Sequence, residues 1–90
     1  MIQYSINHDT KAFEAFKKHY GDKYPFMYSC EVQPIGSKQA WIIRDKFGNK
    51  YLQSYNTIVS IYFSDTREVL HLGKWSVTTS RHQGVFAQLV

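Results

Sequence analysis

The tightest constraint on this chain lies between Ala40 and Gly73, where strand-like runs follow one another with almost no room between them. "AWIIRD", "KYLQSY", "TIVSIYFS" and "EVLHLG" are rich in β-branched and aromatic residues and are separated by a few turn-forming or charged positions. Connections this short join antiparallel neighbours, because a parallel pair needs a crossover of a dozen or more residues. Gly48 and Asn49 in "KFGN" mark a hairpin between the first two runs. The charged "DTRE" separates the last two. Upstream, Met27 to Val32 reads as a further strand, with Pro34, Gly36 and Ser37 as a turn, and "KWSV" extends the β signal past Gly73. The expected sheet is an antiparallel meander of four or five strands. His71 alternates with Leu70 and Leu72 and is expected on the face opposite theirs.

Helical signals flank this block. In "DTKAFEAFKKHYG", Asp9 or Thr10 can accept backbone N–H bonds as N-cap, and Gly21 suits the left-handed position beyond the end. Phe13, Phe16 and Tyr20 form one apolar stripe with Ala12 beside it, while Lys17, Lys18 and His19 complement the helix dipole in the last turn. At the other end, "TTSRHQGVFAQLV" predicts a short helix capped by Thr78, Thr79 or Ser80, with Val85, Phe86 and Leu89 as its buried face. Gly84 weakens that helix by about 1 kcal/mol relative to alanine. No repeat or linker interrupts the 90 residues. The fold class is therefore α+β in a single domain over residues 1–90: an N-terminal amphipathic helix, the meander and a short C-terminal helix.

Tyrosine (7) and phenylalanine (6) supply most of the aromatic content. Their large buried areas let a domain of this size offset its ordering entropy without staples. The single cysteine, Cys30, excludes an intramolecular disulfide and a Cys-pair zinc motif. A reducing cytoplasm is the expected compartment, and no apolar run reaches the ~20 residues that cross a bilayer. The formal charge of +4 is compatible with a polyanionic partner, yet many ordinary domains carry as much.

The densest polar constellation is "GKWSVTTSRHQGVF". If a helix begins here, its first amides and partial positive charge suit a phosphate or carboxylate. Thr78, Thr79 and Ser80 would add donors, Lys74 and Arg81 would add charge, and His82 could titrate near neutrality. The plainer reading needs only one hydroxyl as a cap, Arg81 facing water and Trp75 in the core. A second polar segment, Gln53 to Thr57, either lines a sheet face or forms a bend in which Asn56 bonds its own backbone. Lys17, Lys18 and Lys23 interleave with Tyr20, Tyr24 and Tyr28, which suits single-stranded nucleic acid unless those rings are core. His8, His19, His71 and His82 match no metal-ligand spacing, so no metal and no cofactor are expected. Cys30 lacks a visible base, and no Gly-rich phosphate loop or nucleophile elbow occurs. No catalytic residue is assigned.

The pairing of "LQSYNTIV" with "KWSVTTSRH" resembles small proteins of unassigned activity encoded by bacteriophages and bacterial mobile elements. There a Ser-Tyr-x-Thr segment precedes a Thr-Thr-Ser-Arg/Lys-His segment that leads into a terminal helix. The matching positions are Ser54, Tyr55, Thr57, Thr78, Thr79, Ser80, Arg81 and His82. The resemblance covers roughly the C-terminal half and implies a phage-like context. The expected function is that of a non-catalytic cytoplasmic binding protein contacting nucleic acid or another anionic partner through Lys74, Thr78, Thr79, Ser80, Arg81, His82, Lys17 and Lys18. Ser54, Tyr55 and Thr57 form a possible second segment. Two alternatives stand beside it: an inhibitor or modulator of a host or defence protein, and an acid–base phosphodiesterase using His82 with His71 or His19.

Overall fold

In a computed structural model, residues 11–23, 31–35, 39–55, 57–73 and 76–90 are described. Helix α1 (Lys11–Tyr20) precedes strands β1 (Glu31–Pro34), β2 (Ala40–Arg44), β3 (Lys50–Ser54), β4 (Thr57–Phe63) and β5 (Glu68–His71), and helix α2 (Val77–Leu89) follows. The five strands pair in chain order, every pair antiparallel. This is the α+β meander that the sequence predicts.

The helices cover opposite faces of the sheet. Ala12 and Phe16 of α1 pack with Ile43, Tyr51, Ile58, Ile61 and Phe63. Phe86 of α2 packs with Ala40, Leu52 and Val59. The alternation of side chains along a strand makes two separate cores possible: Tyr51 points to one helix and Leu52 to the other. At Leu52/Gln53 the β3–β4 register shifts, with Leu52 opposite Ser60 and Gln53 opposite Ile58, so Val59 is the extra residue of a bulge. His71 pairs with Ser60 while Leu70 pairs with Ile61, which puts His71 and Leu70 on different faces as expected.

Local chemistry sets the boundaries. Gly21, at φ 63°, ends α1 by donating its N–H to the Lys17 carbonyl at 2.7 Å. The β2–β3 turn is wound around Asp45, whose Oδ1 accepts the N–H groups of Phe47 and Asn49 and whose Oδ2 accepts Asn49 Nδ2 and the Tyr51 hydroxyl. A charged acceptor binds such donors strongly, so this turn is rigid.

Several expectations are corrected. The N-cap of α2 is Ser76, whose Oγ accepts the Thr79 N–H at 3.2 Å; Thr78, Thr79 and Ser80 all lie inside the helix. Ser76 and Val77 therefore do not prolong a strand. The inner face of α2 is Thr79, His82, Gln83 and Phe86, at i, i+3, i+4 and i+7, whereas Val85 and Leu89 are exposed. Starting the helix earlier does not move these faces; the polar residues simply win the inner positions because the sheet offers them partners. On α1 the buried pair is Ala12 and Phe16, with Ala15 and Tyr20 packed beside them, and Phe13 is only half-buried. The expectations for His8, Asp9, Thr10, Tyr24, Tyr28, Cys30, Gly36, Ser37, Asn56, Lys74 and Trp75 lie outside the described residues.

Candidate functional site

The two polar segments meet. Ser54 ends β3 on the face covered by α2, and its Oγ lies 3.0 Å from Thr79 Oγ1 and 2.8 Å from His82 Nδ1. Ser76 Oγ donates to Thr79 Oγ1 at 3.3 Å, which extends the chain of hydroxyls to the helix cap. Ser54, Thr79 and His82 are all buried, so each bond replaces one that water would otherwise supply.

Helical geometry explains which residues join. Thr79 and His82 are three apart and share a face, whereas each neighbouring residue turns about 100° away. Thr78, Ser80 and Arg81 consequently face solvent. His82, expected as a surface contact, is a buried one. Gln83 fixes the same face one position on: its Nε2 donates to the Val59 carbonyl at 3.0 Å and to the Gly73 carbonyl at 3.3 Å. The bulge at Val59 thus presents its carbonyl to the helix. Sequence reasoning missed Gln83, although its place four residues after Thr79 was a usable signal.

Above this cluster opens a cleft of about 450 Å³, lined by Ser54, Tyr55, Thr57, Val59, Ser76 and Thr79. Its walls carry the hydroxyl side chains of Ser54, Thr57, Ser76 and Thr79, the Tyr55 side chain and the apolar Val59, and no carboxylate lines it among the described residues. Tyr55 sits in the β3–β4 turn at φ 57°. Its N–H donates to the Gln39 carbonyl at 2.8 Å, and its carbonyl accepts Gln53 Nε2 at 2.8 Å. The Tyr55 ring is tilted 45° to the His82 ring at 6.2 Å. The volume falls within the range of small-ligand sites.

Lys17 and Lys18 belong elsewhere. They lie on α1, across the sheet from the cleft, and Lys17 pairs with Asp22. A second concavity of about 470 Å³ sits at that end, lined by His19, Tyr20, Lys23, Phe47, Ser64 and Asp65. His19 stacks on Phe63 at 3.9 Å and its Nε2 contacts both Asp65 oxygens, at 2.9 and 3.1 Å. The hydrogen bond from His19 holds the Asp65 carboxyl below its ordinary value. Burial pushes the Tyr20 hydroxyl up while that group donates to Asn49 Oδ1 at 2.9 Å. This network ties α1 to the β2–β3 and β4–β5 turns. The third histidine on strands or helices, His71, is bonded to Ser60 at 2.7 Å. Each of the three imidazoles thus has its own partner: Asp65, Ser60 or Ser54.

Among the described residues no cluster of three or more His, Cys, Asp or Glu could hold a metal ion, and no helix is long and apolar enough to cross a membrane. No curated protein and no solved structure matches the chain. Residues 30–89, which contain the whole sheet and both halves of the hydroxyl–histidine cluster, match the family of unknown function DUF8033, and the chain belongs to that family.

Proposed function

We propose that this chain is a non-catalytic binding protein of phage-like origin that docks a nucleic-acid phosphate in the cleft between the β3–β4 turn and the start of α2. One observation carries the reading: Ser54 and the Thr79/His82 pair, 25 and 28 residues apart, converge beneath a hydroxyl-lined cleft with no described carboxylate on its walls. Hydroxyls are donors a phosphate uses, and a carboxylate would repel it. The Thr79 N–H is already taken by Ser76 Oγ, so the exposed Thr57 hydroxyl on the rim is the donor this reading relies on. Arg81 is exposed on α2, and the first turn of that helix carries no acid. The net charge of +4 adds a weak long-range attraction. Ser54 is 2% exposed, so a substrate does not reach its Oγ, and this burial favours a positioning role over nucleophilic attack even though His82 Nδ1 lies 2.8 Å away. The single cysteine suits a cytoplasmic protein.

Titration with single- and double-stranded DNA and RNA at two salt concentrations tests this. Affinity is expected to fall steeply with salt, as counterions are released. Absent binding at low ionic strength, or binding indifferent to salt, overturns it. A second reading, an inhibitor or modulator of a host or defence protein, draws on a different observation. Val77, Val85 and Leu89 are 72%, 45% and 56% exposed along the outer side of α2. A protein partner retained from host lysate after nuclease treatment, and lost with Val85→Asp, favours this second reading.

A further inference from the structure

Tyr55 is a bulky residue in a costly place. The left-handed backbone region at φ 57° is entered easily by glycine and asparagine and poorly by an aromatic residue. Neither hydrophobic core uses the ring, which remains 44% exposed on the rim of the cleft. The backbone beneath it is held on both sides, by Gln39 through the N–H and by Gln53 through the carbonyl. The β3–β4 connection therefore presents the Tyr55 ring beside the cleft from a backbone held at both its N–H and its carbonyl. Among the described residues neither core accounts for that face, and the ring's described aromatic contact is the His82 ring at 6.2 Å.

We infer that the cleft takes one nucleotide of a single-stranded nucleic acid, its base stacked on the Tyr55 ring and its phosphate held by the Thr57 hydroxyl. The inference rests on the anion-docking reading above and adds to it the strandedness and the stacking partner. The chemistry is direct. An aromatic ring can stack on any base once that base has left its own stack, and the bases of a duplex have not. The hollow of about 450 Å³ is of the size that encloses a small ligand and is far too small for a duplex groove. Thr57 is exposed and lines the same hollow as Tyr55, so one ligand can reach both, while Ser76 Oγ stays bonded to Thr79.

Fluorescence anisotropy with labelled twelve-nucleotide dT and rU strands, a duplex of equal length and inorganic triphosphate as competitor tests the inference. The single strands are expected to bind at least tenfold tighter than the duplex. Tyr55→Asn, which suits the same backbone conformation, is expected to weaken single-strand binding by about 5- to 150-fold, the range for one lost stack. Tyr55→Phe keeps the ring and is expected to restore the affinity. If Tyr55→Asn weakens strand and duplex equally, or neither, the stacking role is wrong and anion docking stands. If no polyanion binds at low salt and triphosphate does not compete, both fail. Circular dichroism of Tyr55→Asn verifies that the fold is intact, so a loss reports the ring.

Discussion

Replacing Ser54 with alanine removes one oxygen atom and two buried hydrogen bonds, those to Thr79 Oγ1 and His82 Nδ1. Ser54 is 2% exposed, Thr79 4% and His82 6%, so water does not readily substitute. Each such bond is worth about 1 kcal/mol net, and partners left buried without one add to the loss. The expected destabilisation is about 2–3 kcal/mol, which for a domain of this length lowers Tm by roughly 10–20 °C. Urea denaturation followed by tryptophan fluorescence measures it, with an unchanged m-value as the sign that only stability moved. A double-mutant cycle with Thr79→Val isolates one bond and should return a coupling of about 1 kcal/mol. If Ser54→Ala costs under about 0.5 kcal/mol and the coupling vanishes, the hydroxyls are solvated and the floor of the cleft is not pre-organised.

Phe86→Ala, at the centre of the smaller core, should cost about 3–5 kcal/mol, measured by the same denaturation, and lower helix content as α2 loses its anchor. Gly84→Ala should raise stability by about 1 kcal/mol, because a Cβ there meets nothing within 4 Å and the position lies inside α2; destabilisation would mean the outer side of α2 is covered. The Asp65 carboxyl, held below its ordinary value of 3.8 by His19, contributes stability that is present above that value and lost as pH falls through the lowered one. Asp65→Asn should flatten the acid limb of a stability–pH curve below about pH 4, with a small effect because the carboxyl is exposed and screened by salt.

The meander was readable because its signals are local. "KFGN", "DTRE" and the runs between them place β2, β3, β4 and β5 within a residue or so of where they form. A short turn between β-branched runs leaves an antiparallel partner as the cheapest way to pair the backbone. The same locality explains α1: a stripe of apolar residues and a glycine that accepts φ 63° define it without reference to anything distant.

The start and the inner face of α2 were not readable that way. Four hydroxyl residues stand between Ser76 and Ser80, and each is a chemically acceptable cap. Hydrophobicity alone would have turned Val85 and Leu89 inward, yet Thr79, His82 and Gln83 face the sheet and those two residues face outward. The partners that justify this are Ser54 on β3 and the bulged Val59 carbonyl on β4, more than twenty positions away. A buried polar group is stable only beside its partner, and partners remote in sequence are chosen when the chain packs. The amino-acid order alone thus pointed to an antiparallel meander of four or five strands between two helices, and to the polar residues of the site other than Gln83. Tertiary packing decided that Ser54, Thr79 and His82 are one cluster, that Arg81 is not in it, and that the lysines of α1 lie on the opposite face, because each of those facts depends on which sheet face a helix covers.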